Sequence, residues 1–239
     1  MIKFEYPIVK IWGIPIKAHL SLLFFLPVIA FYFSPMMGHG LAGWVWGLII
    51  AIGLFVSVTL HELGHSYVAI KTGFRVRKIL LLPIGGAAQL ESMPSQPRQE
   101  LLMAITGPGV SLVLAIIALF AANAVLFVFG WKTISKVLSI MASINIMLAL
   151  FNLLPSFPMD GGRVFRALLT PKLGRLSATR LAANIGKGMA VIFGIIGVYP
   201  PFNLLLIAVA FFLYSTAGAE YKMVQLEQKM KSREENNKP

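Results

Sequence analysis

Six apolar runs, at about residues 18–34, 41–70, 101–129, 134–154, 180–199 and 202–220, take up most of the chain. A helix rising 1.5 Å per residue needs roughly 20 such residues to cross a hydrocarbon layer about 30 Å thick. The core of a soluble domain needs far fewer. Of the 239 residues, 57% are hydrophobic and 13% charged, against about 25% charged in a typical soluble domain. The expected fold is an α-helical polytopic membrane protein with about six transmembrane helices. Its core is expected over residues 1–220, followed by a polar tail over 221–239.

Charge placement sets the expected topology. Six crossings put both termini on one side, and all but Lys132 and Lys136 of the 21 Lys and Arg residues then fall in the termini and loops of that side. By the positive-inside rule that side is cytoplasmic. The expectation is a multi-pass protein of the cell membrane with cytoplasmic N- and C-termini. Its net charge of +12 is used in setting topology. Nucleic-acid binding calls for a soluble basic face with interleaved aromatics, which this sequence lacks. There is no cysteine, which excludes disulfides and thiol chemistry. The first apolar run is too long for a signal-peptide core and has no clear small-residue cleavage pattern, so it reads as a retained signal anchor. Nothing in the sequence decides for or against a homo-oligomer.

Two stretches read as strand. Residues 1–17 alternate in part, with Gly13 and Pro15 as breakers. In residues 73–92, Phe74 and Val76 alternate with Arg75 and Arg77, the run turns apolar at Ile79, and Gly85-Gly86 invites a turn. Together they predict a small membrane-associated β-sheet. Unpaired strands leave backbone groups unsatisfied in lipid, so these must be paired, covered or facing water. Two spans carry interruptions. Thr106-Gly107-Pro108-Gly109 should kink the third, and Pro155 and Pro158 should break the end of the fourth, with a short helix following near 161–169.

Inside the second span stands His61-Glu62-Leu63-Gly64-His65. On a helix, residues i and i+4 share a face about 6 Å apart along the axis, so both imidazoles can reach one metal ion. Glu62 can reach a metal-bound water without being a ligand. This is the H-E-x-x-H signature, in which zinc activates water and the glutamate takes its proton. The competing reading, buried polar residues satisfying one another, leaves unexplained why costly ionisable groups stand in a membrane helix. His61 lies about 15 Å before Lys71 along the helix, which puts the site within the membrane but nearer the cytosol.

A catalytic zinc takes three protein ligands and a water. His39 belongs at the opposite surface, His19 reads as an interface residue, and cysteine is absent, which leaves carboxylates. The single aspartate of the chain is Asp160. It is either the third ligand or the N-cap of a helix beginning at Gly161, and both roles are open to one residue. The irregular backbone made by Pro155, Pro158 and Gly161-Gly162 favours the ligand, because a cap alone does not explain it at membrane depth.

Taken together, His61-Glu62-Leu63-Gly64-His65, the Leu-Leu-Leu-Pro-Ile-Gly-Gly-Ala segment at 80–87, the Gly107-Pro108 pair and Asn152-Leu-Leu-Pro-Ser-Phe-Pro-Met-Asp-Gly-Gly-Arg163 resemble the site-2 protease family of intramembrane zinc metalloproteases. The resemblance is in particular to its archaeal six-span members. The resemblance implies one zinc per chain held by His61, His65 and Asp160, with Glu62 as general base and proton donor to the leaving amine. It places the family's motif asparagine on Asn152, which polarises the scissile carbonyl or holds the oxyanion. The alternative for Asn152 is a helix-to-helix hydrogen bond, a role that fits Asn145 better.

Substrates of this family are transmembrane helices of other membrane proteins, cut in regulated intramembrane proteolysis. Such a helix must unwind locally before cleavage. Gly85, Gly86 and Ala87 offer an edge to which an extended substrate adds as a strand, the alternative being a plain turn. Many relatives carry soluble nucleotide-sensing repeats after the last span, or a peptide-binding module between spans. The sequence contains neither, so a minimal member or a shortened chain is expected. A transporter, the main rival, should repeat its interrupted spans in two halves, and no repeat is visible.

Overall fold

The structure, a computed structural model, describes residues 4–83, 85–91, 94 and 96–236. In chain order the elements are β1 (Glu5–Ile11), β2 (Ile14–His19), α1 (Leu20–Met37), α2 (Gly40–Lys71), β3 (Val76–Leu82), β4 (Gly85–Leu90), α3 (Pro97–Phe129), α4 (Lys132–Asn152), α5 (Asp160–Leu173), α6 (Arg175–Val198) and α7 (Leu204–Asn236). They form two units, Met1–Met93 with Thr106–Leu150, and Pro94–Ile105 with Phe151–Pro239.

The first unit contains the expected sheet, with strand order β1-β2-β3-β4. Trp12 and Gly13 both have positive φ, 48° and 81°, in a two-residue turn whose twist suits antiparallel neighbours. The strand β2 runs parallel to β3, with Ile16 opposite Ile79, and the chain between them is the helical pair α1 and α2. The strand β4 returns antiparallel, with Ile79 opposite Ala88 and Leu81 opposite Gly86. Pairing satisfies the backbone groups that lipid would not.

The sheet and helices share one core. Ile14, Ile16, Ile79 and Leu81 on the strands pack with Leu22 of α1 and with Phe55, Val58 and Leu63 of α2, all buried. Here a period-2 apolar face meets a period-3.6 stripe. Burying side chains of this kind contributes roughly 1.5–3 kcal/mol each. At the outer side of the sheet, the Glu5 carboxylate binds Lys78 Nζ at 2.6 Å and Lys17 Nζ at 3.3 Å. The hydrogen bond from Lys78 is the main reason its carboxyl titrates below the ordinary carboxylate value.

Among the described residues, α1, α2, α3, α4 and α6 are long and apolar enough to cross a membrane. They coincide with five of the six expected spans. Their outer faces carry exposed large apolar side chains such as Phe24, Phe31, Ile117 and Phe127, a surface suited to lipid and not to water. The helix α7 carries the remaining predicted span, 202–220, and continues to Asn236, but it is not among those five. The kink expected at Thr106–Gly109 does not break α3, which continues through a fully buried Pro108. One proline removes a single ladder bond and leaves the flanking turns to carry the helix.

In the second unit, Phe157, Ala182 and Ala217 form the core. Ala178, Ala182, Gly186 and Ala190 recur every four residues and are buried along α6, and small side chains of this kind let helices approach closely. The chain between α4 and α5 is irregular, as Pro155 and Pro158 required. Arg166, counted above among the charges that set topology, is wholly buried. Its Nε bonds Glu100 Oε1 at 2.8 Å, its Nη1 bonds Glu220 Oε1 at 2.9 Å, and its guanidinium lies over the Phe157 ring. A sequence count of charges does not see these partners, which are 66 and 54 residues away.

Candidate metal centre

The second half of α2 carries His61, Glu62 and His65 on unbroken helix. The Nε2 atoms of His61 and His65 are 3.2 Å apart, with the rings edge-on at 80°. Two nitrogens bound at 2.0–2.1 Å to one tetrahedral zinc would stand about 3.3 Å apart. The pair is thus spaced as two ligands of a single ion.

Two features of α3 reinforce this geometry. His61 Nδ1 lies 2.9 Å from Ser111 Oγ, and both side chains are buried. A proton on Nδ1, donated to that hydroxyl, leaves the Nε2 lone pair to face His65 and a metal. One turn earlier, a Cβ added to Gly107 would fall 2.1 Å from His65 Nε2 and 2.7 Å from His61 Nε2. Only glycine fits there, because the α3 backbone comes directly against the two ring nitrogens. The residues present therefore fit a metal ion in both donor chemistry and spacing.

Glu62 is half-buried on the neighbouring position of α2. Its Oε2 accepts the backbone N–H of Ala88 at 3.0 Å. A Cβ at Gly86 would lie 2.7 Å from Glu62 Cγ and 3.0 Å from Val58 Cγ1, so β4 passes across this carboxylate at van der Waals contact. Gly85, Gly86 and Ala87 form the start of that strand, at the edge of the sheet.

Asn145 is the strut expected of it, since its Nδ2 donates to Ser57 Oγ of α2 at 2.9 Å. His19 accepts the Ser21 N–H through Nδ1 at 3.2 Å and caps α1. His39 stands at the N-cap position of α2.

Asp160 and Asn152 belong to the second unit. Asp160 is the first residue of α5, and the N-cap position is held by Met159 without a side-chain cap. The N-cap position weighed for Asp160 is thus occupied by its neighbour. Asn152 is half-buried and closes α4, where the irregular stretch begins.

Two contributors escaped sequence reasoning. Ser111 was within reach, because it lies four residues after Gly107 on the same helical face. Ala88 was not, because it acts through its backbone and its side chain carries no signal.

The chain matches Peptidase family M50 over residues 49–130 and 128–195. It is 42% identical over 218 residues to a zinc metalloprotease of Methanocaldococcus jannaschii, an alignment covering 91% of this chain and 61% of that protein. To a Synechocystis sp. protein assigned to the zinc metalloproteases it is 32% identical over 237 residues, covering 93% of this chain and 61% of the other. It thus spans 61% of the length of each of these two relatives. Among solved structures, the site-2 protease from Methanocaldococcus jannaschii superposes with a TM-score of 0.65 at 41% identity, covering 91% of this chain and 95% of that one.

Proposed function

Since this chain belongs to peptidase family M50, the site-2 protease family, we propose that it is an intramembrane zinc endopeptidase hydrolysing a peptide bond within or near a transmembrane helix of another membrane protein. The observation that carries this reading is the convergence of His61 Nε2 and His65 Nε2 at 3.2 Å against a glycine backbone that admits no side chain. A ligand set of His61, His65 and Asp160 around one zinc per chain follows from the donor chemistry. Two imidazoles and one carboxylate make three protein ligands and leave an open position, as catalytic zinc requires. Asp160 is the sole aspartate and the first residue of its helix.

When bound, zinc supplies a Lewis acid for the peptide carbonyl and makes water a nucleophile near neutral pH. The chain's own residues do the remainder. Ser111 holds the His61 ring in one tautomer. The Glu62 carboxylate, one residue from a ligand, takes a proton from water and returns it to the leaving amine. Asn152 donates a hydrogen bond to the carbonyl oxygen as its charge develops. Gly85, Gly86 and Ala87 receive an extended substrate segment at the sheet edge, so that its backbone groups stay satisfied away from water.

In this reading the first half of α7 makes the sixth crossing, both termini are cytoplasmic, and residues 221–239 form a cytoplasmic tail. The lysines and arginines of the loops support that orientation. The catalytic residues then lie within the membrane nearer the cytosol.

The test is metal analysis of purified protein together with cleavage of a model transmembrane substrate before and after chelation. The expected result is about one zinc per chain, cleavage lost with the metal and restored by zinc, and most of the zinc lost in Asp160→Ala. A fully zinc-loaded protein that cleaves no transmembrane substrate would contradict the reading.

A further inference from the structure

The outer edge of β4 includes Ala88, a residue the sequence does not point to, beside Gly86, which it does. Because the Ala88 N–H is given to Glu62 Oε2, it faces away from β3. In an antiparallel ladder the backbone groups of alternate residues face the same side. The N–H and C=O of Gly86 therefore share this outward edge with Ala88, and among the described residues β4 is the last strand of the sheet. An added strand needs these very groups. One of them, the Ala88 N–H, is already held by the carboxylate assigned as the base. The close approach of Gly86 to Glu62 Cγ and Val58 Cγ1 keeps that carboxylate beneath the strand.

We propose that the Ala88 amide is a donor used in turn by Glu62 and by an incoming peptide strand, so that substrate pairing with β4 releases the base. The inference rests on the endopeptidase reading and deepens it. A peptide extended along Gly86 and Ala88 takes the Ala88 N–H with one of its own carbonyls. Glu62 loses its partner at that moment and becomes able to turn toward water. Base release is thereby tied to an unwound segment long enough to pair, and a peptide too short to reach Ala88 meets a base still held by β4. No bond is made or broken in this exchange beyond hydrogen bonds.

Two measurements test it. The first is amide hydrogen exchange over residues 85–90 in the zinc-loaded protein without peptide, wild type against Glu62→Ala. One amide of this segment should exchange roughly tenfold faster or more in the variant, the scale set by a hydrogen bond to a charged acceptor. Unchanged exchange overturns the proposal. The second is Ala88→Pro, which removes the donor while an outward-facing edge position tolerates proline. A tripeptide too short to pair with β4 should be cut about tenfold faster by the variant, whereas a model transmembrane substrate should show a raised KM. Equal loss, or no change, on both substrates overturns it. If zinc-loaded wild type cuts neither substrate, the endopeptidase reading fails, and the exchange experiment still decides who holds the Ala88 amide.

Discussion

Ser111 Oγ stands 2.9 Å from His61 Nδ1, with both groups buried between α2 and α3. Outer partners of this type fix the tautomer and orientation of a ligating histidine, and losing one typically costs 10–100-fold in metal affinity. Ser111→Ala should therefore keep its helices while binding zinc about 10–100-fold more weakly. A competition titration against a chelator reads this directly.

At Gly107 the expected effect is larger. A methyl placed 2.1 Å from His65 Nε2 must displace a ring or push α3 away. Overpacking of this kind costs about 1–3 kcal/mol. Gly107→Ala should lose most of its bound zinc, measured as metal per chain, and should lower the thermal midpoint in detergent.

The Arg166 cluster gives a stability prediction separate from the metal. Removing one partner of a buried ion pair leaves an uncompensated charge and costs about 3–5 kcal/mol. Arg166→Met removes the nearer partner of Glu100, whose side chain is 6% exposed, and leaves it only Arg175 Nη1 at 3.7 Å, so the protein should be destabilised by up to that amount. Pairing it with Glu100→Gln should recover part of the loss. Denaturant midpoints of the single and double variants check this.

Acid should loosen the sheet at β1. The carboxyl of Glu5 titrates below its ordinary value, chiefly through its hydrogen bond from Lys78. A carboxyl depressed in the folded state stabilises it above the unfolded pKa, and that contribution disappears as pH falls through the lower folded value. Protection of the Glu5–Ile11 amides, measured against their intrinsic exchange rates, should therefore hold from neutral pH down to the ordinary carboxylate range and fall only below it. Glu5→Gln should remove that step.

How far these features were visible in advance depends on what makes them. The helices announced themselves because a bilayer demands long apolar runs, and α1 to α4 and α6 sit where those runs lie. The strands were legible from Phe74, Val76 and their alternating arginines. The parallel pairing of Ile16 with Ile79 was not, because it depends on how α1 and α2 return the chain. His61, Glu62 and His65 were recognisable by spacing, since a helix turns i to i+4 into one face. The burial of Arg166 was not legible, because its partners Glu100 and Glu220 lie far away in the sequence. Asp160 was singled out by being the sole aspartate, while the cap position of Met159 required backbone angles.

The most direct measurement compares Glu62→Gln with wild type at equal zinc content, using cleavage of a model transmembrane substrate. Amide in place of carboxylate keeps the shape beside Ala88 but can take no proton from water. Loss of a positioned acid–base group costs roughly 10²–10⁴-fold in rate, so cleavage should fall by at least about 100-fold with zinc retained. Cleavage at the wild-type rate by the zinc-loaded variant would contradict the mechanism.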